Sequence, residues 1–255
     1  EPGYAEGRLG VGKRMLLLLA ALACALVSAC AAGPKQADAP QAVPAPSNEL
    51  ECGHKITAEE FTRLPLVREE EIFGQSVLIY PVVEDEAYGE LNALLVNRIK
   101  DMAKTLGNPV STTFRIKCNQ AGVLSLLVEF FDLETDELIT RLPLNYDIPS
   151  GAETTLESCF IEGSQSWRAY LPDEVGRQAA ARGLTLLSAI PPIEDGQLYY
   201  TTGNSLVLVY RPYEISLYSA AWPEFTVALD KLADWFCPGG PLERLYLNIT
   251  AVAQE

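Results

Sequence analysis

The sequence predicts an α+β fold, mainly antiparallel sheet packed with three helices. Apolar residues make up 48% of the 255-residue chain, enough to build a core. Its segments read in the order β-α-β-β-β-α-β-β-α-β. Hairpin turns, rather than crossover helices, join most of them, which points to antiparallel pairing. The roughly 205 residues after position 50 suit one large domain or two packed halves, here divided as 51–160 and 161–255.

Residues 51–75 are polar and mixed, and Glu69-Glu70-Glu71 reads as a solvated face. Residues 76–83 (SVLIYPVV) read as a strand, with Pro81 placing it near an edge or an end. Leu91, Leu95, Ile99, Met102 and Leu106 recur at helical spacing, and Gly107 with Pro109 closes that helix. Strands follow over 110–118, 123–131 and 138–148, with turns at 119–122 and 134–136. Pro149-Ser150-Gly151 is a further turn. Pro172 suits a first helical position, Asp173 and Glu174 the positive first turn, and Gly183 the residue after the last turn.

After Pro191-Pro192, residues 197–201 and 206–210 flank a Gly203-Asn204 hairpin signal. Residues 226–236 read as a short amphipathic helix with Leu229, Leu232, Ala233 and Phe236 inward. Residues 244–251 alternate strictly: Leu245, Leu247 and Ile249 against Arg244, Tyr246 and Asn248. They read as a final half-buried strand.

Arg8, Lys13 and Arg14 precede an uncharged apolar run from Met15 to Ala32, so residues 1–30 read as a signal peptide. The run ends in Val27-Ser28-Ala29-Cys30, which resembles the bacterial lipobox and makes Cys30 the expected lipidation site. The rival reading is an uncleaved signal anchor. Residues 31–50 are rich in Ala, Pro and Gln and form a tether. The expected location is therefore the cell envelope, extracytoplasmic and held at a membrane through lipidated Cys30.

The chain carries 34 acidic and 19 basic residues, a net charge of −15. Without Glu1, Glu6, Arg8, Lys13 and Arg14 the balance becomes 32 against 16, a net −16. Such a balance argues against nucleic-acid binding, which needs Lys and Arg to neutralise phosphates. It favours a cationic partner. Cys52, Cys118, Cys159 and Cys237 are the disulfide candidates, an even number in an oxidising compartment. Three pairings are open. Cys52-Gly53-His54 offers two metal-ligand types, but no CxxC accompanies it, and neither metal nor cofactor is expected.

His54 is the single histidine, and it sits beside the tether. Gly163-Ser164-Gln165-Ser166 fails the G-x-S-x-G pattern, and no H-E-x-x-H, P-loop or dinucleotide fingerprint occurs. The expectation is a protein that is not an enzyme. A two-carboxylate wall hydrolase is the less favoured reading, since acid pairs leave no sequence signature. Tyr199, Tyr200, Tyr210, Tyr213, Tyr218 and Trp222 either pack sheet against helix or offer faces to sugar rings and protein partners. Tyr213, Glu214, Tyr218 and Trp222 are the candidate binding residues. For Glu214 the expected role is structural, through a backbone bond or Arg211.

Residues 199–236 (YYTTGNSLVLVYRPYEISLYSAAWPEFTVALDKLADWF) resemble the C-terminal domain of RsiV-type proteins. Pro212, Tyr213, Glu214, Ile215, Tyr218 and Ala220 match that family's tyrosine stretch. Glu90-Leu91-Asn92, Leu124-Ser125-Leu126 and Asn145-Tyr146-Asp147 before Ser150-Gly151 resemble its upstream half, with Leu156 following. The resemblance implies an RsiV-ectodomain-like fold, a membrane anchor, and the themes of cell-wall stress and lysozyme binding. It departs where Leu133-Glu134-Thr135-Asp136-Glu137 replaces a Gly- and His-containing hairpin, and around Ala221-Trp222, where the family often has glycine.

The sequence-level reading is thus a non-catalytic envelope lipoprotein that binds lysozyme, another cationic wall-active protein, or a peptidoglycan component. The alternative is a single-pass anti-sigma-type sensor. Its cytosolic segment would precede the chain, which begins at Glu1 rather than Met.

Overall fold

The computed structural model describes residues 63–217 and 222–252. The segments read as signal peptide and tether, with Cys30, and also Cys52, His54 and Tyr218, lie outside the described residues. A mixed six-stranded sheet runs in chain order: β1 (Leu66–Phe73), β2 (Ser76–Val83), β3 (Val110–Gln120), β4 (Val123–Asp132), β5 (Leu138–Asp147) and β6 (Ala152–Glu153). Among the described strands only β2 and β3 pair in parallel, because α1 (Gly89–Leu106) connects them. A second, antiparallel sheet holds β7 (Tyr199–Thr201), β8 (Ser205–Val209) and β9 (Glu224–Ala228). Two further helices are α2 (Ser166–Ala181) and α3 (Pro241–Val252). The α+β class is as expected.

Burial orders these elements into layers. In α1, Leu91, Leu95, Ile99 and Ala103 stand four apart on one face. They pack with Leu124, Leu126, Val128 and Phe130 of β4. The opposite face of β4 turns Leu127 toward Tyr200, Val207, Val209 and Trp222, so the two sheets meet there. Leu206 and Leu208 face the other way and pack with Trp167, Leu171, Val175 and Ala179 of α2 and Leu242 and Leu245 of α3. β4 and β8 are each covered on both faces, which explains their almost unbroken apolar runs. Ser125 and Asn145, opposite each other on β4 and β5, stitch the sheets together. Ser125 Oγ donates to Asn145 Oδ1 (2.6 Å) and accepts from the Thr201 N–H (3.1 Å), while Asn145 Nδ2 donates to the Tyr199 carbonyl (2.8 Å).

The β3–β4 hairpin turns through Ala121 (φ 53°) and Gly122 (φ 69°), the left-handed pair that matches strand twist. A Cβ on Gly122 would lie 3.0 Å from Pro149 Cδ and Cγ. Gly122→Ala is expected to lower stability by about 1–2 kcal/mol, read as a fall in the urea midpoint with unchanged slope.

Four expected elements differ. Residues 66–73 form a strand, although the segment reads as polar and mixed. As an edge strand it is half solvated, so Arg68, Glu69 and Glu70 are tolerated and guard the edge. Glu71 is not merely solvated: Lys100 Nζ lies 2.8 Å away and Tyr80 donates at 2.8 Å, and these bonds hold its carboxyl below the ordinary value. Helix α2 begins at Ser166, with Pro172 inside it. Trp167, stacked on Phe160 at 4.4 Å, and Leu171 extend the buried stripe upstream of the proline. At its end Gly183 (φ 65°) donates to the Ala180 carbonyl and Leu184 to that of Ala179, a Schellman closure.

Residues 226–236 are not an α-helix. Phe225 and Val227 alternate inward as β9, and two 3₁₀ turns (Leu229–Lys231 and Ala233–Trp235) follow. Leu229, Leu232 and Phe236 are nonetheless buried, with Ala233 packed against them. Residues 244–251 lie in helix α3, not a strand. Leu242, Leu245, Tyr246 and Ile249 follow i, i+3, i+4, i+7 spacing and pack inward, and Pro241 opens the helix.

Candidate functional site

At the end of the inter-sheet core, β4 exchanges an inward leucine for an inward carboxylate. Leu127 and Glu129 share a face, two residues apart. Arg141 of β5 stands directly opposite Glu129. Arg115 and Lys117 lie on one face of neighbouring β3. Glu129 is 4% exposed in its side chain and binds two guanidinium groups, Arg115 Nη2 at 2.6 Å and Arg141 Nη2 at 2.9 Å. Arg141 reaches across to the second sheet, where its Nη1 meets Glu224 Oε1 at 2.9 Å. The Tyr200 hydroxyl donates to the other Glu224 oxygen at 2.8 Å.

This network floors a groove of about 480 Å³ lined by Arg115, Arg141, Arg182, Leu184, Trp222, Pro223, Glu224 and Phe225. Arg182, which caps α2, donates to the Glu224 carbonyl (2.7 Å) and to Gln178 Oε1 (3.0 Å), with its guanidinium 4.9 Å from the Phe225 ring centre. Arg141 lies 5.8 Å from the Trp222 ring centre. Lys117 Nζ sits 4.4 Å from that of Tyr200, and burial lowers its pKa against the pull of Glu224. Burial, then the bond to Glu224, raises the Tyr200 hydroxyl well above its ordinary value, so it remains a donor.

Cations therefore outnumber carboxylates at this groove, on a chain whose net charge is −15. Arg141 is locked by two ion pairs and only 17% exposed, whereas Arg115 is 57% exposed and, among the described residues of the groove, is bridged to Glu129 alone. Planar guanidinium forks suit carboxylates and phosphates, and aromatic faces suit flat or sugar-like rings. The groove has the chemistry to hold an anion with an attached ring.

Of the four candidate binding residues, Trp222 alone is described as lining this groove; it is 9% exposed. Tyr213 is exposed and adopts φ 64° in a turn. Glu214 closes that turn by accepting the Arg211 backbone N–H at 2.7 Å. Tyr199, Tyr200 and Tyr210 are buried. Cys118, Cys159 and Cys237 are not joined to one another in the structure. No cluster of metal-ligating side chains occurs among the described residues.

Sequence reasoning missed Arg115, Glu129, Arg141, Arg182 and Glu224. They are spread over 110 positions of chain, and only strand pairing assembles them. The available signal was charge inside otherwise apolar strands, most clearly Glu129 within VLSLLVEFF.

Fold and groove together define an α+β domain with a cationic, aromatic-lined groove on an acidic chain. The fold is similar to the crystal structure of a DUF3298 family protein from Pseudomonas aeruginosa PAO1, with TM-score 0.53 and 16% identity over 73% of this chain and 98% of that one. A DUF3298 family member from Bacteroides fragilis NCTC 9343 aligns with TM-score 0.46 and 14% identity, over 72% and 96% of the two chains. No family model and no curated protein matches the sequence.

Proposed function

We propose that the protein is a non-catalytic, extracytoplasmic binding protein of the bacterial envelope, tethered through Cys30, whose groove recognises an anionic ring-bearing ligand. The observation that carries this reading is the arginine cluster beside Trp222 on a chain of opposite overall charge. Long-range attraction of anions by such a chain is unfavourable, so affinity has to come from local contacts. A peptidoglycan fragment combines the required parts: sugar rings for Trp222 and peptide or muramyl carboxylates for Arg115 and Arg182.

The test is a fluorescence and calorimetric titration with a muramyl peptide, using neutral N-acetylglucosamine oligomers as the control. Saturable binding of the charged fragment alone is expected. Arg115→Ala is expected to weaken it roughly 10- to 100-fold, the loss of one charged hydrogen-bonding group, with little change in stability. Trp222→Phe is expected to abolish the fluorescence response. Equal affinity for both ligands, or none for either, overturns the reading.

A second reading keeps the acidic surface as the site and a cationic wall-active protein such as lysozyme as the partner. The net charge of −15 and exposed Glu69 and Glu70 on edge strand β1 favour it. It requires a lysozyme affinity that falls steeply with salt and weakens in Glu69→Lys/Glu70→Lys, while Arg115→Ala leaves it intact.

A further inference from the structure

Outside both sheets, residues 159–161 and 235–237 run antiparallel as an isolated bridge. Phe160 pairs with Phe236. Ile161 N–H donates to the Trp235 carbonyl at 2.9 Å, and Cys237 N–H to that of Cys159 at 3.0 Å. This register sets Cys159 directly opposite Cys237, with both side chains leaving the same face. They share one hydrogen bond, since the Cys159 N–H turns back to the Leu156 carbonyl at 3.2 Å. Facing residues of an antiparallel pair have Cα atoms about 4.5–5.5 Å apart, inside the roughly 4.4–6.8 Å that a disulfide spans. Cys118 lies on β3, facing Ser125, and takes no part in the bridge.

We propose that Cys159 and Cys237 form an intramolecular disulfide that closes the loop carrying α2 and the three-stranded sheet onto the start of α3. In the cell this rests on the export proposed above; the geometry itself does not. The oxidant is a disulfide, either that of an exported thiol oxidoreductase or glutathione disulfide. The Cys237 thiol is half exposed and Cys159 is 1% exposed, so Cys237 reacts first. Its thiolate attacks the oxidant, forming a mixed disulfide and expelling one oxidant thiolate. Cys159 then loses its proton and attacks the Cys237 sulfur, expelling the second oxidant thiolate. Two protein S–H bonds are lost and one S–S bond forms, and the two electrons reduce the oxidant's disulfide.

Burial, with Asp147 and Cys237 adding to it and the contact with the Tyr199 hydroxyl opposing it, pushes the Cys159 thiol up to about 12. The second step is therefore slow in the folded chain, and the bond forms most readily during folding, before Cys159 is enclosed.

The test is non-reducing peptide mapping of the full chain after thiol blocking under denaturing conditions. One sample is envelope protein from a bacterial host. The other is purified protein refolded in a glutathione redox buffer. A peptide pair joining Cys159 to Cys237, lighter by two hydrogens, is expected in both and is lost in C237S but kept in C118S. Reduction is expected to lower Tm by roughly 5–15 °C. The link in refolded protein alone supports the pair and counts against export. Free Cys159 and Cys237 in both samples, or a link from either to Cys118 or Cys52, overturns the inference.

Discussion

Arg244→Ala is expected to destabilise the protein by about 3–5 kcal/mol, the cost of leaving one member of a buried ion pair without its partner. Arg244 is 2% exposed. Its Nε donates to the Ala121 carbonyl at 3.2 Å and its Nη1 to that of Gly239 at 2.6 Å, and Nη2 pairs with Asp147. One side chain thus joins α3, the β3–β4 turn and the end of β5. Truncating it strands the Asp147 carboxylate and two carbonyls. The urea midpoint is expected to fall by roughly 1 M or more. In a double-mutant cycle with Asp147→Asn, a coupling of at least about 1 kcal/mol is expected between these contacting residues. Additive effects would show that the pair does not hold α3 in place.

Glu129→Ala is expected to have a comparable effect on stability, about 3–5 kcal/mol, because it deprives two guanidinium groups of one buried carboxylate. It also has a functional consequence. Without Glu129, Arg115 loses its anchor and Arg141 keeps only Glu224. Ligand binding at the groove is therefore expected to weaken in the same variant, measured under conditions where it remains folded. The contrast with Arg115→Ala is the informative part. Arg115 is largely solvated, so its removal is expected to change the unfolding midpoint little while weakening ligand binding. If both variants lose stability equally and bind the muramyl peptide like the parent chain, the charged network is only a structural clamp.

Both predictions concern charges that the linear sequence leaves ambiguous. Arg244 falls in a segment whose alternation assigns it to the solvent side of a strand. In the folded chain that segment is helical, and the same arginine points inward to Asp147. The stretch satisfies both periods: Leu245, Leu247 and Ile249 alternate, while Leu242, Leu245, Tyr246 and Ile249 keep helical spacing. Partners elsewhere decide between them, because Leu242 and Leu245 complete a core with α2 and β8. The reverse occurs at 226–236, where helical spacing exists but pairing of β9 with β8 pulls the first residues into a sheet. Edge strand β1 was illegible for a simpler reason. Only one side of it needs apolar residues, and charges take the rest.

Where one segment buries a face by itself, the local pattern was sufficient. The stripe Leu91, Leu95, Ile99 determined α1, the runs of β3 to β5 determined their strands, and the turn residues between them set antiparallel order. Composition and hairpin connections likewise determined the α+β class. The groove needed the tertiary structure, because Arg115, Glu129, Arg141, Arg182 and Glu224 come from five separate segments. Each alone reads as an ordinary charge. Only sheet register and the docking of β9 bring them within hydrogen-bonding distance, where desolvation and mutual pairing give them a specific geometry. The opposition of Cys159 and Cys237 has the same origin. It exists through a backbone bridge between distant segments, and spacing along the chain contains no trace of it.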